Sequence, residues 1–129
     1  MLEIISFYLA SAILGIMIFF SFVVAPVTFS SLNEENARKF IRGIFPLYYL
    51  LNLCISLIVV LLIAYLSDFS LKFYLMLSIC ILFFISNFFL MPLINKFKDK
   101  KKNNKFKIFH SISVVINFAQ IFILILVIF

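Results

Sequence analysis

The sequence predicts an all-α fold: a four-helix transmembrane bundle with a short amphipathic interfacial helix in the first cytoplasmic loop. The chain is 66% hydrophobic and 12% charged, and its mean hydropathy is +1.26. A soluble domain is roughly half apolar and about a quarter charged. A chain of 129 residues cannot enclose that much apolar surface in a core of its own. We therefore expect lipid to surround the outer faces of the helices.

Four apolar segments form the predicted bundle, which makes residues 1–129 a single integral membrane domain. They are 2–29, 45–66, 69–94 and 108–129. Each segment exceeds the roughly 20 residues that a helix needs to cross about 30 Å of hydrocarbon. Backbone groups in lipid must bond within their own segment, so each segment is predicted to be helical. The first apolar run is too long for a signal peptide and lacks a preceding basic region, so we expect it to be retained.

The basic residues predict how the bundle is oriented. Apart from Lys72, all the basic residues lie in loops 30–44 and 95–107. These residues are Arg38, Lys39, Arg42, Lys96, Lys98, Lys100, Lys101, Lys102, Lys105 and Lys107. The positive-inside rule places both loops in the cytoplasm and both termini outside, in a bacterial inner membrane. Loop 95–107 either contacts anionic lipid headgroups or acts only as a topology determinant. Its few aromatic residues do not suggest nucleic-acid binding.

The first loop carries the signals of a short helix. Ser31 and Glu34 have the spacing of a capping box. The residues that follow mix apolar and basic side chains, which predicts an amphipathic helix on the cytoplasmic membrane face. This helix should end near Gly43, with Pro46 in the first turn of the next helix. In the first apolar segment, Ser11 and Gly15 are small residues four apart, and Ala25 ends a second such pair. They predict a close helix crossing at Gly15, and the same face could pair with a second copy of the chain.

A polar stripe marks the last helix. His110, Ser113 and Asn117, continued by Gln120, span roughly 80° of a helix at 100° per residue. Asn52 and Asn87 lie at a similar depth from the same membrane face, which predicts a polar layer about 10 Å below the cytoplasmic surface. The layer serves either as hydrogen bonding between helices or as a small pocket in which His110 titrates or binds a ligand.

The sequence gives little support for a catalytic site. The chain has no paired-carboxylate site, no HExxH, no CxxC and no phosphate-binding glycine loop. No cofactor is predicted, although His110 and Met91 are candidate ligands for copper or for a haem iron. The leading hypothesis is a non-enzymatic membrane protein that handles a small solute or metal through the polar layer. The alternatives are a haem- or copper-associated redox protein using His110, and a structural or accessory subunit of a membrane complex.

Several stretches carry a family resemblance. They are residues 15–26, which end in Ala25-Pro26, then Ile44-Phe45-Pro46 with Tyr48-Tyr49, and Phe106-x-x-x-His110-x-x-Ser113-x-x-x-Asn117. The chain resembles a family of small four-helix bacterial membrane proteins of unknown function, which is similar to transmembrane protein 205 and, distantly, to copper-resistance-D-like proteins. The resemblance implies an integral four-helix membrane protein. Those distant relatives have a histidine in the first helix, where this sequence offers Tyr8 or Ser11.

Overall fold

The computed structural model describes residues 1–129 and contains four long helices and no strand. We label these α1 (Leu2–Ser31), α2 (Glu34–Tyr65), α3 (Leu71–Asp99) and α4 (Asn103–Ile128). Each helix is long and apolar enough to cross a membrane. The predicted all-α fold with four transmembrane helices is therefore confirmed.

The four helices form an up-and-down ring. Each helix packs against its neighbour in sequence, and α1 also packs against α4, whereas the backbones of the diagonal pairs stay apart. Short connections force successive helices to run antiparallel. One end of the ring therefore holds both chain termini and the 66–70 turn, and we call it the terminal end. The other end holds the 32–33 and 100–102 turns, and we call it the basic end because nearly all the lysines and arginines lie there.

The interior of the bundle is narrow. Only 23 of the 129 residues are buried, so most apolar side chains face outward, where a membrane supplies their apolar surroundings. The centre is filled by large side chains from all four helices. The fully buried ones include Ile13 and Met17 of α1, Val59 of α2, Met76, Ile79 and Phe83 of α3, and Leu124 of α4.

Two helices contain a π-helical turn. In α1 it covers Phe20–Val24 and in α3 it covers Ser86–Leu90. Each turn is followed two residues later by a proline, Pro26 or Pro92. Proline cannot donate a backbone hydrogen bond, and a π-turn redirects the bonds of the preceding turn. The two helices are therefore loosened at corresponding places.

The same short pattern surrounds both turns. Ser21-Phe22 precedes Pro26 at the spacing with which Asn87-Phe88 precedes Pro92. Because α1 and α3 run in the same direction, the two patterns place a polar side chain at a similar level in each helix. The repeat thus brings a loosened backbone and a polar residue together on two sides of the ring.

The separate interfacial helix that we predicted in the first loop does not exist. Residues 34–45 are the first turns of α2, which continues through Pro46 without a break. The cap of this helix is Asn33, whose side chain accepts a hydrogen bond from the N–H of Asn36 at 2.9 Å, and Ser31 instead ends α1. The prediction was wrong because the segment is continuous with α2 and its basic face pairs with α3 through Arg42.

The second predicted loop is also mostly helical. α3 continues to Asp99 and α4 begins at Asn103, so only residues 100–102 connect them. The turn is a Schellman motif: Lys102 N–H donates to Phe97 O, Lys101 N–H donates to Lys98 O, and Lys101 has a left-handed φ of 54°. At 1.5 Å per residue, α2 residues 34–44 extend about 16 Å beyond the apolar segment. The basic end is therefore a folded extension of the bundle.

Candidate functional site

A hydrogen-bonded chain of three side chains crosses the bundle. Tyr48 Oη donates to Asn117 Oδ1 over 3.3 Å, and Asn117 Nδ2 donates to Ser21 Oγ over 2.9 Å. We call Ser21, Tyr48 and Asn117 the polar bridge. It joins α1, α2 and α4, including the diagonal pair α2 and α4, whose backbones do not meet. Three helices are thereby fixed to one another at a single level.

Asn52 lies one turn from Tyr48 and is fully buried. Its Nδ2 donates to the carbonyl oxygen of Tyr48 at 2.8 Å, but its Oδ1 has no hydrogen-bond partner. Leaving a buried acceptor unpaired costs about 1–3 kcal/mol. A group that bears a hydrogen-bond donor would therefore be favoured beside this oxygen.

Aromatic packing holds Tyr48 in place. Its ring stacks on Phe20 with centroids 4.2 Å apart and planes 24° apart, and Phe45 meets Phe20 edge-on at 5.1 Å. Because Phe20 begins the π-turn of α1, the loosened turn and the polar bridge are in direct contact. In the structure only 6% of Tyr48 is exposed.

The predicted stripe on α4 divides in two. Asn117 takes part in the polar bridge, and the buried Gln120 donates from Nε2 to the carbonyl oxygen of Ile79 in α3 at 3.3 Å. Ser113 is half-buried and donates to the carbonyl oxygen of His110 at 2.8 Å, within its own helix. Only the half of the stripe farther from the basic end links α4 to other helices.

His110 does not face the bundle interior. It is exposed, and its ring stacks on Phe106 of the preceding turn with centroids 5.6 Å apart and planes 9° apart. It lies at the edge of the 80° stripe and seven residues nearer the basic end than Asn117, which explains why it turns outward. His110 therefore does not share a pocket with the inward-facing residues Asn117 and Gln120.

The remaining candidate ligands lie in different surroundings. Asn87 is half-buried in the π-turn of α3 and is not part of the polar bridge. Met91 is half-buried and packs against the apolar core, whereas its proposed metal-binding partner His110 is exposed. No group of three or more His, Cys, Asp or Glu side chains is arranged to hold a metal ion.

The predicted close crossing at Gly15 is absent. Gly15 is exposed, and a Cβ added to it would have nothing within 4 Å. The Ser11 hydroxyl donates to the carbonyl oxygen of Phe7 at 2.8 Å in its own helix, and Ala25 is half-buried beside Pro26. The spacing of small residues recurs often in apolar helices, and here Gly15 faces away from the other three helices.

Charge pairs tie the basic end together. Arg42 contacts the Asp99 carboxylate at 2.6 Å and the carbonyl oxygen of Asn95 at 3.4 Å, and Lys98 lies 3.6 Å from Glu34. The hydrogen bond from Arg42 holds the pKa of the Asp99 carboxyl below its usual value. Asp99 lies beyond the apolar part of α3, so solvent screening limits the strength of this pair. The pairs fix the extension of α2 against that of α3.

Aromatic rings close the α3–α4 hairpin. Lys98 Nζ lies 5.0 Å from the ring centroid of Phe106, and Lys105 Nζ lies 5.6 Å from that of Phe97. The Phe97 ring also packs on Phe109, with centroids 5.2 Å apart. Cation–π contacts of this kind contribute about 0.5–1 kcal/mol at exposed sites. Two of the seven lysines in residues 95–107 therefore have a structural role.

A ring of four apolar helices joined by a buried polar layer defines an integral membrane protein that spans the bilayer four times. The chain belongs to the family described as a domain of unknown function, DUF4149, whose model matches residues 8–103. No curated protein and no solved structure matches the chain. The matched range includes Ser21, Tyr48 and Asn52 and stops before Asn117. The resemblance to a family of unknown function is confirmed at that level.

Sequence reasoning missed the stripe on α2. Tyr48, Asn52 and Ser56 are spaced four residues apart, and all three are buried. Such spacing places side chains on one face of a helix, as it does on α4. Counting tyrosine among the polar residues would have revealed this face.

Proposed function

We propose that the protein is a multi-pass, non-enzymatic protein of the bacterial inner membrane that takes up a small uncharged solute at the polar bridge and Asn52. The basic end lies in the cytoplasm and both termini lie outside, since ten of the 11 basic residues are at that end. Its exposed lysines contact anionic headgroups. We further propose a distant relationship to transmembrane protein 205 and to copper-resistance-D-like proteins.

The unpaired oxygen of Asn52 carries this proposal. It is an acceptor with no donor, in a fully buried side chain next to a hydrogen-bonded chain. Polar groups at membrane depth often line the path of a solute. A small molecule with hydroxyl or amide N–H groups would satisfy Asn52 Oδ1 and exchange bonds with Ser21 or Asn117.

The solute is expected to be uncharged because no charged side chain lies near this level. Within the four apolar segments, the only charged residues are Glu3 and Lys72, and both belong to the terminal end. An ion at the polar bridge would have no counter-charge and would meet a large desolvation cost. His110 and Met91 lie in separate surroundings, so the proposal rests on Asn52 and not on a metal or haem.

The competing interpretation is that the polar bridge only bonds helices together. On that interpretation Asn117→Leu loses two bonds of roughly 0.6 kcal/mol each, while Asn52→Leu is close to neutral. A solute site instead requires both residues for function. The two interpretations therefore differ in what Asn52→Leu does.

The test is solute flux in proteoliposomes, followed by stopped-flow light scattering with glycerol and urea as probes. We expect the wild-type protein to speed solute entry relative to protein-free liposomes. Asn52→Leu and Asn117→Leu should return entry to the protein-free rate. Ser11→Ala is the matched control, because Ser11 bonds only within α1. Wild-type liposomes that are no faster than protein-free ones would refute the proposal.

A further inference from the structure

A cavity opens at the terminal end of the bundle. Its volume is about 280 Å³, and residues from all four helices and the 66–70 turn line it. The wall is largely apolar and includes Val59 and Ile63 of α2 and Val127 of α4. These residues lie within the last two turns of their helices. The cavity is therefore a shallow pocket at the opposite end from the basic extension.

Charged side chains surround the mouth of this cavity. Glu3, Asp68 and Lys72 are all exposed and all contribute to its lining. The ion pairs of the protein lie at the basic end, and none involves these residues: they are Lys39–Glu35, Arg42–Asp99 and Lys98–Glu34. Among the side chains that line the cavity, two carboxylates and one ammonium group give a charge of minus one, in a chain whose net charge is +6. These side chains therefore favour a cation at the mouth.

The backbone holds Asp68 at a fixed position. Its N–H donates to the carbonyl oxygen of Ile63 at 3.2 Å, and its Oδ1 accepts from the N–H of Ser70 at 3.2 Å. The other carboxylate oxygen remains available. Ser6 is buried at the cavity wall, and its hydroxyl donates to the carbonyl oxygen of Leu2 at 3.0 Å, which leaves its oxygen able to accept a bond. Acceptors therefore line the mouth and one side of the cavity.

We propose that this cavity binds an organic ammonium group carried on a short apolar body. The ammonium group lies between the carboxylates of Glu3 and Asp68, where its hydrogen bonds are charge-assisted. The apolar body contacts Val59, Ile63 and Val127 and is removed from water. The cavity is slightly smaller than the range of about 300–1,000 Å³ that holds drug-sized ligands, so the ligand is small.

Neutralising Lys72 should change ligand binding in the opposite direction from neutralising the carboxylates. Lys72 is the one cation at the mouth, so it opposes a bound ammonium group. Replacing it with a neutral side chain should strengthen binding, whereas neutralising the carboxylates should weaken it. A general loss of structure cannot produce both results.

The experiment is calorimetric titration of the full-length protein in uncharged maltoside micelles, with hexylammonium as the probe. Hexanoate and hexanol are controls of the same length. The double variant Glu3→Gln with Asp68→Asn removes both charges, and asparagine keeps the oxygen that accepts from Ser70. Glu35→Gln is the matched control, since it removes one carboxylate at the basic end.

We expect saturable binding of hexylammonium and none of hexanoate. The double variant should bind about tenfold more weakly or worse, which is the size of effect that losing charge-assisted bonds produces. Lys72→Gln should bind severalfold more tightly, and Glu35→Gln should match the wild type. Equal binding of hexanoate, or unchanged binding in the double variant, would overturn the proposal. If the double variant does not fold, Lys72→Gln decides, and unchanged or weaker binding overturns the proposal.

An ethanolamine lipid headgroup and a free amine share this chemistry. Repeating the titration in nanodiscs with and without ethanolamine lipid separates the two sources. Competition by the lipid identifies the headgroup as the source, and the lack of competition identifies a free amine. Either result supports the site.

Discussion

The two ends of the bundle treat charge in opposite ways. At the basic end, Arg42 and Lys98 reach carboxylates on the neighbouring helix extension, and aromatic rings cover two lysines. At the terminal end, Glu3, Asp68 and Lys72 surround a cavity without joining any ion pair. Paired charges hold helices together, while unpaired charges remain available to a ligand. The difference indicates that charges at the basic end join helices, whereas those at the terminal end do not.

This contrast follows from how far the helices extend. α2, α3 and α4 continue beyond their apolar segments at the basic end, so charged residues on adjacent helices stand side by side. At the terminal end the helices stop close to the apolar segments, and the charged residues lie on a turn and in first turns. The same residue types therefore make bonds at one end and form a rim at the other.

Removing Arg42 should lower the thermal midpoint more than the other changes proposed for the two ends. Arg42→Ala loses contacts to both Asp99 and Asn95, and the Arg42 side chain is only 33% exposed. We expect its thermal midpoint in micelles to fall by about 4 °C, as the loss of a partly buried charge-assisted bond implies for a chain of this size. Lys72→Ala at the terminal end is the control and should leave the midpoint unchanged. A larger fall for Lys72→Ala would contradict the conclusion that charges stabilise the basic end more than the terminal end.

Acid should remove the contribution of the same pair. Arg42 lowers the pKa of Asp99 in the folded protein, so the unfolded chain binds more protons as the pH falls below about 4. The stabilisation is therefore complete above that value and is lost as the pH falls through the lower folded pKa. We expect the difference in thermal midpoint between the wild type and Asp99→Asn to shrink over this range. A difference that is constant with pH would show that Asp99 acts through packing and not through its charge.

The architecture could be predicted from the sequence because lipid imposes few alternatives. A run of apolar residues in a membrane must be a helix, so the four segments were found from the positions and lengths of the apolar runs. The ends of the helices were predicted less well, since residues 34–45 continue directly into α2 and residues 95–99 continue α3. Arg42 and Asp99 pair across these two extensions, and because they are distant in sequence they give no local signal that the helices continue.

The candidate site was predicted in part. Helical periodicity singled out Asn117, and depth in the membrane singled out Asn52; in the structure Asn117 bonds to two other helices and Asn52 is fully buried. Periodicity could not separate His110 from Asn117, because the stripe alone does not say where along the helix the neighbouring helices make contact. The cavity at the terminal end was missed because Glu3 is distant in sequence from Asp68 and Lys72.

A pair of glycine substitutions should give the smallest change in thermal midpoint. They test a feature that the two ends share, the backbone conformation of their turns. Both ends use a Schellman turn with a non-glycine residue at a positive φ, 55° at Ser67 and 54° at Lys101. A left-handed conformation costs a non-glycine residue roughly 1–2 kcal/mol, and the extra chain entropy of glycine cancels about half of that gain. Ser67→Gly and Lys101→Gly should each raise the thermal midpoint by about 2 °C. Lys100→Gly is the control, since its φ of −79° offers glycine no advantage and its midpoint should not rise. Because neither Ser67 nor Lys101 is in an ion pair, equal gains at both ends would mean that the ends differ in their charges and not in the backbone of their turns.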